Sequence, residues 1–226
     1  MPSHVSVIIP TKSNVAGLMS LLGDVLADVS AHHICVIIDG EDANRAVPDL
    51  PMTVERHVVP LGSGIHHMWN LGLRSVVPGS HVVFLNDDVR LDKDCLTALA
   101  ESLDSDPTIG LICPNYSSVD LCEHREVSDT CRSRYDGSGG MAGFAMMLSS
   151  DLVPRWKFDE NLRWWYGDDD LLRWVARTMQ RRAVISSTTR CIHHDSVTIK
   201  ADPPADFGRL VENDRRYFET KWGHSI

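Results

Sequence analysis

Val82-Val-Phe-Leu-Asn-Asp-Asp-Val89 is the stretch that decides the fold. Its apolar start reads as a strand over 82–86 buried on both faces of a sheet, the pattern of parallel sheets covered by helices. The strand runs straight into two adjacent carboxylates. In open α/β sheets, ligands gather outside the carboxyl ends of the strands. There Asp87 and Asp88 can hold a hard divalent cation through oxygen and leave positions open for phosphates. The competing reading is a polar turn, because Asn-Asp is a common turn pair.

Outward from this stretch, strand and helix alternate. Val5–Ile9 reads as a strand closed by Pro10-Thr11, and residues 15–29 carry apolar side chains at a helical spacing of three and four. Ile34–Ile38 is a second strand ending at Asp39-Gly40, and Val54–Val59 a third. Gly62-Ser63-Gly64 leads into a helix over 65–76. Beyond the acidic pair, a helix over 92–103 capped by Asp92 and a strand over Ile109–Cys113 are expected. This order predicts an α/β chain with a mostly parallel central sheet and right-handed crossovers.

The second half changes character. Residues 114–139 read as a long polar functional loop, followed by an apolar stretch, Met141–Leu148. Asp168-Asp169-Asp170 opens a helix to about Gln180. Strands near 183–185 and 191–194 and a charged helical tail from about Pro204 complete the chain.

The 226 residues carry a formal net charge of −9, which disfavours a broad grip on nucleic acid. Arg125, Arg132 and Arg134 leave room for a local basic patch. No apolar run reaches the length of a membrane span, and the start lacks signal-peptide features, so the expected address is the cytoplasm. The six cysteines form no C-x-x-C pair and are expected to be reduced thiols. Cys113, Cys122 and Cys131 flank His124 evenly, but too widely for a zinc finger or ribbon.

Three strand ends meet carboxylates or histidines: Asp39, Asp87 with Asp88, and His193 with His194. Asp39 reads as a hydrogen-bond acceptor for a ligand or as a turn cap. The aspartates 168–170 suit a helix N-terminus, yet three together repel by several kcal/mol unless a cation or a proton-transfer role offsets it. His32-His33 reads as surface and His66-His67 as structural. Of His193 and His194, adjacent in a strand, one at most faces a shared site. Trp164 and Trp165 are core aromatics or a flat platform for a sugar ring.

In sequence order, these segments resemble the GT-A glycosyltransferases, in particular the inverting family 2 type. Val5–Asn14 looks like that family's first strand and loop. Asp39 falls where the family has an acid that contacts the base, and Leu61–Gly64 with Asn70-Leu-Gly72 is similar to its glycine and asparagine signature. Leu85–Val89 matches the D-x-D element in an N-x-D form. Gly139-Gly140 with Met141–Leu148 resembles the acceptor-side strand. Phe158-Asp-Glu160 with Tyr166–Leu171 looks like the acidic block, and His193 with Thr198 the later histidine element.

The resemblance implies a GT-A fold, a Rossmann-like, mostly parallel central sheet flanked by helices with a smaller acceptor-side part. One domain over 1–226 is expected: a nucleotide-sugar half (1–113), an acceptor and catalytic half (114–203) and a helical tail (204–226). It also implies transfer of a sugar, with inversion, from a nucleoside diphosphate donor, UDP-sugar first, to a hydroxyl acceptor. That acceptor is a glycan, a lipid-linked sugar, a protein or a modified nucleobase. Asp88 and His193 would bind Mn2+ or Mg2+. Asp169 would be the general base, with Asp168 in reserve. Pro10, Thr11, Asp39, Gly64, Asn70, Asn86 and Asp87 would hold the donor, and Gly140, Trp164, Trp165 and Asp170 the acceptor or sugar. The rival classes are a nucleotidyltransferase of related fold and a non-catalytic sugar-nucleotide-binding module.

Overall fold

The computed structural model describes residues 4–127, 140–194 and 206–223. Strands β1 (Val5–Thr11), β2 (Ala31–Asp39), β3 (Val54–Val59) and β4 (His81–Leu85) pair in parallel in the order β3-β2-β1-β4. Beyond β4 lie β8 (Ala145–Leu148), β6 (Ile109–Asn115), the long β9 (Arg182–His193) and the three-residue β5 (Val89–Leu91). A short β7 (Arg125–Glu126) pairs with β9. β1, β2, β3, β4, β6 and β9 run one way, and β8 returns antiparallel between β4 and β6. The central sheet is therefore mostly parallel, as its apolar strands predicted.

Alternation along β4 explains its unbroken apolar run. Val83 and Leu85 pack with Val7 and Ile9 of β1 under helices α1 (Val15–Ala27) and α4 (Cys95–Ser105). Val82 and Phe84 face the other layer, with Met68 and Trp69 of α3 (Ile65–Leu73) and Leu171 and Leu172 of α5 (Gly167–Arg173). A strand buried on both faces has no polar positions to offer until it ends. Phe84 is fully buried and touches Trp69 and Phe158 by ring edges or tilted faces. Truncating such a ring to alanine typically costs about 3–5 kcal/mol.

Several elements differ from the sequence expectation for identifiable reasons. Asp92 does not cap α4. Residues 89–91 form β5 instead, and the helix starts at Cys95 after Asp94 in a left-handed conformation. The missing cap comes from across the fold. Buried Asp28 accepts from Leu96 N (2.8 Å), Thr97 N (3.3 Å) and the Thr97 hydroxyl (2.7 Å). The strands expected at 183–185 and 191–194 are one twelve-residue strand, β9. Its first half extends β6 in parallel and its far end turns to pair with β5. The helix expected from Asp168 to Gln180 is α5 followed by a wider π-turn over Trp174–Thr178. The short helix α2 (Glu41–Ala46) and β7 were not anticipated. The tail is helix α6 (Phe207–Trp222).

Candidate active site

The parallel strands deliver their ends to one cavity of about 520 Å³. Pro10 and Thr11 arrive on β1, Asp39 on β2, and Asn86, Asp87 and Asp88 from the turn after β4. Four carboxylates line it: Asp39, Asp87, Asp88 and Asp168. Lys12 is the one permanently charged cation among the described residues that line it.

The acidic turn is held from β1 and α1. The Thr11 hydroxyl donates to Asp87 Oδ2 at 2.6 Å, and Asn14 Nδ2 donates to the Asp87 carbonyl at 3.1 Å. Asn14 also caps α1, its Oδ1 accepting from Gly17 N at 3.1 Å. One side chain thus starts the helix and fixes the turn. Burial pushes the Asp87 carboxyl up to about 6, with the neighbouring Asp88 charge adding to it and Thr11 and Asn14 opposing. The buried Asp39 is raised as well, chiefly by burial, although its Oδ1 accepts from Gly62 N at 2.7 Å and Ser63 N at 3.3 Å.

β5 and β9 bring the histidine in. Val89 is paired with His193, which sets the His193 Nε2 3.2 Å from Asp88 Oδ1. The imidazole stacks on Phe144 with ring centres 4.0 Å apart and planes 7° apart, and Phe144 in turn meets Tyr116 edge-on. His194 is exposed and contributes its backbone N–H to the Asp88 carbonyl. His193 is therefore the member of the pair that faces the cavity.

These residues suit a divalent ion. A buried carboxylate and an imidazole nitrogen sit side by side, outside the geometry of a hydrogen bond. The buried Asn86 Oδ1 has no hydrogen-bond partner among the described residues. One or two carboxylates with substrate phosphates are a usual way to hold Mg2+ or Mn2+, and an imidazole beside them adds one nitrogen ligand to a set dominated by oxygen.

More of the lining comes from the first turn of α5 and the loop before it. Asp168 lines the cavity, its carboxylate lying where a side chain at Gly143 would project: a Cβ there would fall 1.8 Å from Asp168 Oδ2. Asp169 is buried and does not line the cavity. Asp170, expected on the acceptor side, lies outside the lining and accepts from Trp222 Nε1 at 2.7 Å and Lys221 Nζ at 2.9 Å. Three consecutive helical positions point about 100° apart, so one aspartate at most faces the cavity squarely.

Trp164 and Trp165 both line the cavity and are held from below by α6. Buried Asp214 accepts the backbone N–H of Trp164 at 2.8 Å, Trp165 at 3.0 Å and Arg163 at 3.2 Å. Trp165 also meets Phe207 edge-on at 4.8 Å. Tyr166 then turns the chain into α5 with a positive φ of 65°, and its ring stacks on Phe218 of α6.

Besides Asp169 and Asp170, three expected site residues lie outside the lining. Gly64 (φ 92°) opens α3, and a Cβ there would meet the Arg163 carbonyl at 2.8 Å, so glycine lets the two loops touch. Asn70 pins Phe158 through both backbone groups, Nδ2 to O and N to Oδ1, each at 2.9 Å. The Gly140 carbonyl accepts the Tyr116 hydroxyl at 2.8 Å. Cys131, Arg132, Arg134, Gly139 and Thr198 lie outside the described residues.

Sequence reasoning missed Tyr116, Phe144, Gly143 and the role of His66. Buried His66 hydrogen-bonds the Leu162 carbonyl through Nδ1, so that nitrogen carries the proton. Burial keeps its pKa below the ordinary value. Its Nε2 occupies the space a side chain at Gly167 would need. The paired histidines and scattered glycines gave no local signal for this, because each acts across the fold.

Strand order, acidic turn and facing helix define the GT-A fold. Solved structures share it. GalNAc-T7 with UDP, GalNAc and Mn2+ superposes with a TM-score of 0.65 at 15% identity, over 96% of this chain and 50% of its own. The mannosyltransferase PcManGT from Pyrobaculum calidifontis, in complex with GDP-Man and Mn2+, gives 0.63 at 15% identity over 100% of this chain and 66% of its own. S. aureus TarS 1-349 gives 0.61 at 13% identity, over 97% and 72%. At such identities the likeness establishes the fold, and the chain spans half the length of GalNAc-T7. No family model and no curated protein sequence matches the chain. Among the described residues, no helix is long and apolar enough to cross a membrane.

Proposed function

We propose that the chain is a nucleotide-sugar-dependent glycosyltransferase of the inverting family 2 type, moving a hexose from a nucleoside diphosphate to a hydroxyl acceptor. The observation that carries this reading is one cavity whose lining brings together the Asp88–His193 pair, Asp39, Asp87 and Asp168. Two structural neighbours with the same fold contain UDP or GDP-Man together with Mn2+, and a third contains UDP.

Asp88 and His193 would hold the divalent ion, which when bound neutralises charge on the donor's diphosphate and so favours its departure. A diphosphate could not otherwise settle among four carboxylates, because like charges a few ångströms apart repel by several kcal/mol. Asp39, at the end of β2, would accept from the nucleoside, while Pro10 and Thr11 form the floor under it. Asp87 would orient donor hydroxyls. Trp164 and Trp165 offer flat faces to a sugar.

Because it lines the cavity and Asp169 does not, Asp168, the reserve candidate, would take the acceptor hydroxyl's proton as its oxygen attacks the anomeric carbon from the face opposite the diphosphate. Attack from that side inverts the configuration. The test is a panel of UDP- and GDP-sugars incubated with Mn2+ and scored for released nucleoside diphosphate. Release from one donor, lost in Asp168→Asn and in Asp88→Asn, supports the reading. Metal-dependent nucleotide binding with no turnover on any donor and acceptor would favour a binding module instead.

A further inference from the structure

The sheet's outer edge carries a second cluster of metal-ligating side chains, away from the cavity. It arises from two short patterns, His33-Ile-Cys35 on β2 and Glu55-Arg-His57 on β3. Residues two apart in a strand share a face. β2 and β3 are hydrogen-bonded neighbours with Cys35 opposite Glu55 and Ile37 opposite His57. All four side chains therefore converge on one patch of one face. The cluster lies about 13 Å along β2 from Asp39, taking four residues at the usual rise of a strand.

The contacts agree with this. Ligand atoms of Cys35, Glu55 and His57 all lie within 4.8 Å of one another, the one such trio of histidine, cysteine and acidic groups among the described residues. His57 Nε2 is 2.6 Å from Glu55 Oε1, and His33 Nε2 is 2.9 Å from Glu55 Oε2. Cys35 is fully buried, whereas the His57 and Glu55 side chains are about one third exposed, which leaves an entry path from solvent. Tetrahedral zinc, with bonds of about 2.0–2.3 Å, sets its ligand atoms roughly 3.3–3.8 Å apart, so small rotations of His57 and Glu55 would suffice.

We propose that Cys35, Glu55 and His57 form a zinc site that ties the edge strand β3 to β2, with His33 orienting Glu55 from behind. A thiolate and an imidazole select zinc over Mg2+ or Mn2+, which prefer oxygen ligands. On binding, the Cys35 S–H bond breaks and its proton leaves to solvent as the sulfur–zinc bond forms. Neutral His57 turns its nitrogen from Glu55 to the metal, and the fourth position opens toward solvent. The site also has a structural use, since β3 is an edge that pairs on one side alone. This inference does not depend on the proposed transferase activity.

The test is titration of the metal-stripped full chain with Zn2+ and, as a spectroscopic probe, Co2+. One equivalent of zinc should bind at this site in addition to any taken up at Asp88 and His193, and cobalt should give a thiolate charge-transfer band, which the Asp88–His193 site has no sulfur to produce. Cys35→Ser should abolish the band, and His57→Ala should weaken zinc by at least about 10-fold. Asp88→Asn should leave both unchanged. If the buried Cys35→Ser variant fails to fold, His57→Ala and Glu55→Gln, at part-exposed positions, carry the same test. Absence of a thiolate band in the wild type, or a band that survives these substitutions, would overturn the proposal.

Discussion

The floor of the cavity and the clamp beneath its tryptophans are both built from buried aspartates, and they treat them in opposite ways. In the clamp, Asp214 accepts three backbone N–H groups, and Asp170 accepts a lysine and an indole. Asp159 accepts from Lys221 and Tyr217, and these bonds outweigh burial and lower its pKa. On the floor, Thr11 donates to the Asp87 carboxylate and Asn14 to its backbone carbonyl, while burial and the neighbouring Asp88 charge raise the carboxyl to about 6. Saturated carboxylates hold loops in place. Undersupplied ones store an attraction for cations that the fold itself does not satisfy.

The largest expected effect tests which wall does chemistry. Asp168→Asn should lower turnover about 100- to 10,000-fold, the usual worth of a general base, with nucleotide affinity preserved. Asp169→Asn should cost far less turnover. Steady-state kinetics with a fixed donor separates them, and equal losses would remove the distinction drawn from the cavity lining.

Next comes the clamp. Asp214→Ala leaves three backbone donors without their carboxylate, so the Trp164–Trp165 loop should loosen. The acceptor KM should rise about 10-fold or more, because small misplacements at a site are costly. Nucleotide binding by calorimetry should stay unchanged. Loss of donor binding as well would mean that the clamp and floor are one unit.

The smallest effect is in stability against pH, and its sign separates the two kinds of aspartate. Asp87 has a raised pKa, so its favourable contribution is complete below the ordinary carboxylate value and is lost as pH rises through about 6. In chelator-treated protein, Asp87→Asn should therefore raise Tm at pH 7.5 but not at pH 4. The shift of about two pKa steps sets a ceiling of about 3 kcal/mol. Asp28 is the reverse case. Burial raises its pKa, but bonds from Thr97 and Ser30 outweigh this and lower it, so its contribution is present at neutral pH and lost in acid. Asp28→Asn should lower Tm at pH 7.5 and flatten the acid limb of the stability curve.

How much of this was legible in the sequence follows the range of the interactions. β4 and its acids were readable because burial on both faces and an abrupt polar end are local properties. The helix spacing of α1 and the turn glycine before α3 were equally local. β5 was not, since three residues become a strand through pairing with β9, about a hundred residues away. Which of Asp168 and Asp169 lines the cavity was hidden for the same reason: Gly143 leaves room there for a carboxylate from another element. Asp214 looked like one charge in a polar tail. Its meaning lies in three N–H groups fifty residues earlier.

On the proposed function, the floor takes a nucleoside diphosphate through a cation held by Asp88 and His193. Calorimetric titration of UDP and GDP into the full chain, with Mn2+ and with chelator, is the decisive measurement. At least one nucleotide should bind, require Mn2+ and weaken by more than about 100-fold in Asp88→Asn. Nucleotide binding of equal strength in chelator, or binding untouched by Asp88→Asn, would contradict it.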